Sequence, residues 1–441
     1  MILPINVNKA LSILENSGFD SFVVGGCVRD ALIGKKINDY DICTNATPDK
    51  IISAFDGYKC ILTGQRHGTV TVIIDNIPLE ITTFRTEGKY SDGRHPDSVE
   101  FTDDINNDLK RRDFTVNAMA YNHRRGLIDL YGGKNDLKNK VIKTVGDPLE
   151  RFDEDALRIL RALRFASSYD FDIDANTSNA IKQMYSKLKL VSKERISDEL
   201  LKTLSGIGVK RILTDYAEVF AFILPCLSPC IDFDQNNPHH DYDLYTHLVL
   251  TASFLPQDPI LRLAGLLHDV GKPHTRTLDS KGVSHYYSHA QIGAEIAYNT
   301  ACELRLSNIQ KNRIKKLIHY HDGVIEENER AVTRRINQLG YEDTTALLDL
   351  QLADNLSQKT AAEKVKLEHN RKLREIYDNL LNANPCTDIK HLNIDGNDLL
   401  EMGYKGKQIG NALSYLLNAV IENSVENTNK ALKEYLIKFK P

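Results

Sequence analysis

Two carboxylates separated by one residue, Asp39-Tyr40-Asp41, follow the stretch Phe22-Val23-Val24-Gly25-Gly26-Cys27-Val28-Arg29-Asp30. The combination reads as strand, glycine turn, helix and second strand. Phe22 to Val24 are β-formers, and the Gly pair lets the backbone turn tightly and approach a ligand. A helix over 27–33 aims free N–H groups at whatever sits above the turn, a seat suited to phosphate. Gly34 suits a helix stop. In a strand, alternation puts Asp39 and Asp41 on one face. Neighbouring carboxylates repel unless a cation lies between them, and a hard cation such as Mg²⁺ holding a triphosphate meets that need. Glu80, on the strand segment Leu79-Glu80-Ile81-Thr82-Thr83-Phe84, is either a third acid facing the same metal or a solvated strand residue. Two-metal chemistry uses carboxylates that bridge cations roughly 4 Å apart, one activating the attacking hydroxyl and one steadying the departing phosphate.

Two further segments carry charge in patterns that can bind a nucleotide. Lys110-Arg111-Arg112-Asp113 heads an apolar run and can clamp phosphate oxygens. Arg151 to Phe165 reads as one amphipathic helix on which Asp155 and Arg158, three apart, are surface neighbours. A carboxylate beside a guanidinium matches the amino donor and ring-nitrogen acceptor of cytosine and adenine, and mismatches guanine and uracil. Selection by such hydrogen bonds is strong, because a wrong base leaves buried groups unpaired. The same spacing also makes an ordinary surface ion pair. Arg161 and Arg164 continue the row but drift around the helix, toward phosphate or RNA.

The elements that position these groups follow from pattern. Residues 1–135 mix short β-like runs with turns. Val70 to Ile74 and Leu79 to Phe84 are strand candidates joined by Asp75-Asn76-Ile77-Pro78, and 87–98 reads as a long mobile loop. After Asp147-Pro148 the pattern turns helical, with no clear strand beyond it. Breaks at Pro225 to Pro238 and Asn382 to Pro385 divide the remainder. The organisation expected is a head over 1–145, a helical neck over 146–235, a helical domain over 236–380 and a helical tail over 381–441.

Taken in order, Gly25-Gly26-x-x-Arg29-Asp30 with Asp39-x-Asp41, Arg111-Arg112-Asp113, Glu154-Asp155-x-x-Arg158 and Glu194-Arg195-x-x-x-Glu199-Leu200 resemble the motif set of class II tRNA nucleotidyltransferases. These are the CCA-adding enzymes and their relatives, the bacterial poly(A) polymerases. The resemblance implies an α+β multidomain chain, with a polymerase-β-like head of mixed sheet and helices followed by an all-α neck, body and tail. It implies Asp39 and Asp41 as Mg²⁺ carboxylates, with Glu80 beside them. It further implies Gly26, Arg29 and Arg112 as triphosphate contacts, Asp155 and Arg158 as the base-reading pair, and Arg161 and Arg164 as further nucleotide contacts. The segment Phe84-Arg85-x-Glu87-Gly88-x-Tyr90-x-Asp92-x-Arg94-x-Pro96 is similar to the family's flexible loop, which the A-adding step needs. Thr63-Gly64-Gln65-Arg66-His67-Gly68-Thr69 looks like the CCA-adding version of its segment. The implied partners are tRNA, CTP and ATP.

Further along, Leu266-Leu267-His268-Asp269-Val270-Gly271-Lys272 resembles the core of HD phosphohydrolases. With His247 and Asp354 it implies a second divalent metal that activates water against a phosphoester. His285, His289, His319 and His321 lie between. The other reading is an RNA-holding scaffold with a vestigial site. Trimming a 2′,3′-cyclic phosphate or a 3′-phosphate from damaged tRNA ends is the role such a site suggests. Lys430, Lys433, Lys438 and Lys440 offer a basic tail stretch, either for the tRNA elbow or as a solvated helix face.

Composition bounds these readings. The chain has 441 residues, 41% hydrophobic, and a net charge of −4, so any RNA contact comes from local patches. Seven cysteines lack zinc-finger spacing and read as reduced thiols of a cytoplasmic protein. No signal peptide and no window of transmembrane length is expected. Three products stay open: full CCA addition, addition of A alone or poly(A), and phosphohydrolysis with a head kept for RNA binding.

Overall fold

The computed structural model of the chain describes residues 1–65, 68–88, 98–236, 242–358, 363–383 and 385–438. Arg66, His67, Tyr90, Asp92, Arg94, Pro96, Pro238 and Lys440 lie outside the described residues. The chain forms two compact units, Met1–Pro225 and Cys226–Pro441.

Among the described residues, the N-terminal part of the first unit is built on nine strands: β1 Ser21–Val24, β2 Asp41–Thr44, β3 Lys59–Ile61, β4 Thr69–Ile74, β5 Ile77–Thr83, β6 Arg85–Glu87, β7 Val99–Phe101, β8 Met119–Asn122 and β9 Gly126–Asp129. Seven of them form one sheet in the order β3-β4-β5-β2-β1-β8-β9. The sheet is mixed: β2 runs parallel to β5 and antiparallel to β1. The turn between β4 and β5 is shorter than expected. Asp75 and Asn76 both take positive φ and close a two-residue hairpin at Ile74↔Ile77, so Ile77 and Pro78 belong to the strand. The ends of the expected 87–98 loop are also ordered, since β6 pairs with β7 as far as Glu87↔Val99.

Alternation along β2 puts Asp41 and Cys43 on one face. Cys43 is buried there with Phe22, Val24, Phe84, Ile105, Leu109 and Ala120. The helix Ile105–Lys110 thus covers this face, while Asp41, at the open start of β2, stays exposed. Asp104 caps that helix by accepting from the Asn106 amide.

The rest of the first unit is largely helical. Pro148–Glu154 starts behind an Asp147 cap, and Leu157–Tyr169 packs against Lys193–Leu204. Strands were not expected after residue 148. Three short ones nonetheless form there among the described residues: Asp172–Ile173, beside Val141–Ile142 from before that point, and the pair Thr277–Leu278 and Ser284–His285. Two-residue strands are too short to leave a period in the sequence.

Among the described residues, the regular structure of the second unit is helical apart from that hairpin. Its C-terminal helices Gly396–Glu401, Lys407–Ile421 and Asn429–Lys438 share a core of their own, with Leu399, Leu416, Leu432 and Leu436 fully buried. No helix among the described residues is long and apolar enough to cross a membrane.

Candidate active site

Parallel pairing of β2 with β5 sets Asp41 opposite Glu80, so both carboxylates leave the same face at adjacent positions. Glu80 is exposed, like Asp41. Asp39 differs from expectation: β2 begins at Asp41, so Asp39 lies in the coil before it and alternation does not govern its direction. Its charge still reaches Asp41. Surrounding protein raises the Asp41 carboxyl above the usual range, Arg112 pulls it down and Asp39 pushes it up. All the donors are oxygen, a set that suits a hard divalent cation.

The glycine turn is tighter than its sequence requires. Gly25 takes φ +79°, and a Cβ there would stand 3.0 Å from Nη1 of Arg112. The helix runs Gly26–Leu32, one residue earlier than expected. Arg112 is held from behind by Asp108, which accepts Arg112 Nη2 at 3.1 Å and Arg111 Nη2 at 2.7 Å. Asp108 is fully buried, yet the two guanidinium charges outweigh burial and hold its carboxyl below the ordinary value. Nε of Arg112 is buried without a hydrogen-bond partner among the described residues.

Arg29 is less available than expected. It forks onto Asp30 at 2.9 and 3.0 Å, donates to Asn117, and lies over the rings of Phe165 and Tyr169. Tyr169 donates to the same Asp30 at 2.9 Å. Arg29 therefore ties the glycine helix to the Leu157–Tyr169 helix.

The expected Asp155–Arg158 neighbours do not pair. The helix breaks between them: Pro148–Glu154 ends, Asp155 is extended at φ −144°, and a new helix starts at Leu157. Surface adjacency three residues apart holds only within one helix. Asp155 instead caps the Leu157 amide at 3.0 Å and accepts Arg195 Nη2 at 2.7 Å. Arg158, buried, donates to Glu154 and to the carbonyls of Arg151 and Arg111.

Arg161 and Arg164 are anchored as well. Asp113 accepts Arg161 Nε and Nη2 at 2.8 and 2.6 Å, along with the Phe114 amide and Asn117. Burial would raise the Asp113 carboxyl, but Arg161, Asn117 and Arg158 hold it below the ordinary range. Arg164 donates to the buried Glu199 at 2.6 Å. Asp108 and Asn117 thus stand at this site without having been singled out, and Asp113 and Arg195 had been quoted only as members of motifs. The signal was present for Asp108, three and four residues before two arginines that directly follow one short helix.

A second constellation lies in the second unit. His247, His268 and Asp354 present ligand atoms all within 4.8 Å of one another, and so do His268, Asp269 and His321. His268 and Asp269 stand at the end of the helix Pro259–Leu267. Gly271 permits the crossing with the helix His289–Glu303, since a Cβ there would meet the His289 carbonyl at 2.1 Å. Burial disfavours charge on His268, but Asp269 and Asp354 outweigh it and raise the imidazole to about 10. His289 and His321 join the cluster, each with Nε2 within 3.3 Å of Asp269 Oδ1. His285 pairs with Asp279 on the hairpin and His319 is exposed, so neither does.

Comparison with known proteins places these features. Residues 21–143 match the poly A polymerase head domain, 170–230 the RNA and SrmB-binding site of polymerase A, and 295–436 tRNA nucleotidyltransferase domain 2. The CCA-adding enzyme of Lactobacillus helveticus is 32% identical over 433 residues, covering 98% of this chain and 96% of that one. The enzyme of Ligilactobacillus salivarius is 33% identical with the same coverage. The crystal structure of the Bacillus stearothermophilus CCA-adding enzyme in complex with CTP superposes with a TM-score of 0.72 at 27% identity, over 98% of this chain and 96% of that one. Enzymes of this kind are nucleotidyltransferases that use a divalent metal. The chain belongs to the CCA-adding enzyme family.

Proposed function

We propose that this protein adds C, C and A in turn to tRNA 3′ ends, drawing on CTP and ATP with no nucleic-acid template. The tRNA 3′-hydroxyl attacks the α-phosphorus, the bond to the bridging oxygen breaks, and pyrophosphate leaves. The register of Asp41 with Glu80, beside Arg112, carries the reading. Asp39, Asp41 and Glu80 would hold Mg²⁺. When bound, the metal lowers the pKa of the attacking hydroxyl and offsets the charge of the departing phosphate. Gly26 lets the backbone come close to the triphosphate. Arg112, kept in place by Asp108, supplies positive charge to it, and Arg29 fixes the helix that carries Gly26. Asp155 and Arg158 read the base from two sides of the helix break, each releasing one present partner to do so. Arg161 and Arg164 keep that break in position through Asp113 and Glu199. Seven free thiols suit a cytoplasmic setting.

Incubation with a tRNA lacking its last three nucleotides, followed by sequencing of the product, tests the assignment. A product ending in CCA supports it. A-only or poly(A) products contradict it.

A second reading concerns the other unit. His247, His268, Asp269 and Asp354 would hold a divalent metal for hydrolysis of a phosphoester such as a 2′,3′-cyclic phosphate or 3′-phosphate. The convergence of these ligand atoms within one buried cluster favours it. Phosphate release that His268→Ala leaves unchanged would contradict it.

A further inference from the structure

Glu154 is shared between two arginines. Its Oε1 accepts Arg151 Nη2 at 2.6 Å, and its Oε2 accepts Nη1 of Arg158. Arg151 and Glu154 lie on the helix Pro148–Glu154, and Arg158 opens the helix beyond the break. The three side chains are only 16%, 24% and 10% exposed, so water and salt screen the pairs weakly.

Arg151 also spans the break through its backbone. Its carbonyl accepts the Asp155 amide at 3.4 Å and Nη1 of Arg158 at 3.1 Å. One residue thus touches both members of the base-reading pair.

The Arg151 side chain keeps one donor idle. Its Nε is buried with no hydrogen-bond partner among the described residues. In a guanidinium, Nε–H and the neighbouring Nη–H form a fixed fork that takes both oxygens of a carboxylate. Arg29 shows the arrangement in this chain, with Nε and Nη2 on the two oxygens of Asp30 at 2.9 and 3.0 Å. Arg151 makes half of it. Its Nη2 is on Glu154, and the Nε beside it is unpaired while the second oxygen of Glu154 stays on Arg158.

The two arginines therefore compete for one oxygen. An incoming base that engages Arg158 must draw Nη1 away from Glu154. Taken alone, that exchange leaves a half-buried carboxylate oxygen without its charged partner, which opposes nucleotide binding. Rotation of the freed oxygen onto Arg151 Nε closes the fork and satisfies the idle donor in one move.

We infer that Arg151 is a positioning residue for base selection: it takes over Glu154 as Arg158 turns to the base, and gives it back when the product leaves. This rests on the reading of Arg158 as a base contact and adds the residue that offsets its release. Arg151 acts through Glu154 and touches no substrate.

The test measures kcat and KM on the full chain, for CTP with tRNA lacking its last three nucleotides and for ATP with tRNA lacking only the last. Arg151→Lys keeps the positive charge and the backbone carbonyl but has no fork. KM for both nucleotides is expected to rise about 10-fold, the worth of one charged hydrogen bond, with the melting transition close to the parent's. In Glu154→Gln no carboxylate remains to be handed over, so adding Arg151→Lys to that variant is expected to leave KM where Glu154→Gln put it. A merely structural Arg151 would add the same loss in both backgrounds. An unchanged KM in Arg151→Lys, or an equal rise in the Glu154→Gln background, overturns the inference. Arg158→Lys keeps the two readings apart. It is expected to relax the preference for CTP and ATP over GTP and UTP, and an unchanged preference overturns the base contact itself.

Discussion

Asp155 takes its hydrogen bond from Arg195, at 2.7 Å, and not from Arg158 three residues along. The two groups proposed to read the base are each held by another partner across the helix break. An incoming cytosine or adenine must exchange for those partners, so selection depends on Arg195 as well as on the reading pair. Asp155→Ala is expected to relax discrimination against G and U by about 10- to 100-fold, the worth of one charged hydrogen bond. A nucleotide competition assay measures it, and unchanged preference for CTP and ATP removes the role.

Arg195→Ala leaves the carboxylate of Asp155 in place but unclamped. The expected result is a smaller loss of discrimination than in Asp155→Ala, with kcat reduced and the melting transition little changed. Identical kinetics to the parent would show that the clamp does not position Asp155.

Gly25 sits at φ +79°, where any side chain is strained, and its Cα faces Arg112. Gly25→Ala is expected to cost about 1–3 kcal/mol of stability. It should also raise KM for both CTP and ATP, because the new methyl displaces the arginine. Equal KM values in parent and variant would separate Arg112 from the triphosphate.

Asp108 and Asp113 both carry folded-state pKa values below the ordinary value of roughly 3.9. For groups shifted down, the stabilisation is complete above the unfolded pKa and is lost as pH falls through the folded one. Denaturant midpoints should therefore hold above about pH 5 and fall below about pH 4. Asp113→Asn should flatten that fall. Asp113→Ala, which strands Arg161 and Asn117, should cost about 3–5 kcal/mol at neutral pH. A pH profile identical in Asp113→Asn and parent would remove Asp113 from the account.

Much of this was legible in the residues. Gly25-Gly26, Asp41 and the β4–β5 hairpin follow from local chemistry, and the strands appear where β-formers alternate. Glu80 read equally well as metal ligand or solvated residue; the pairing of β2 with β5 is a long-range fact that no local pattern contains. The break at Asp155 was hidden because Asp155 and Ala156 fit the helical period that surrounds them, whereas the chain there is set by Arg195 from a distant helix. In the second cluster, His247, His268, Asp269 and Asp354 were separable by motif. His289 and His321 stand at a helix start and just past a helix end, so only tertiary packing distinguishes them from His285 and His319.

Single-turnover incorporation by Asp41→Ala on a tRNA ending before CCA tests the central claim most directly. The carboxylate register predicts that addition of both C and A is lost, by a factor of about 10³ or more (~4 kcal/mol), while the melting transition and tRNA binding persist. Incorporation of either nucleotide at a rate near that of the parent would contradict it.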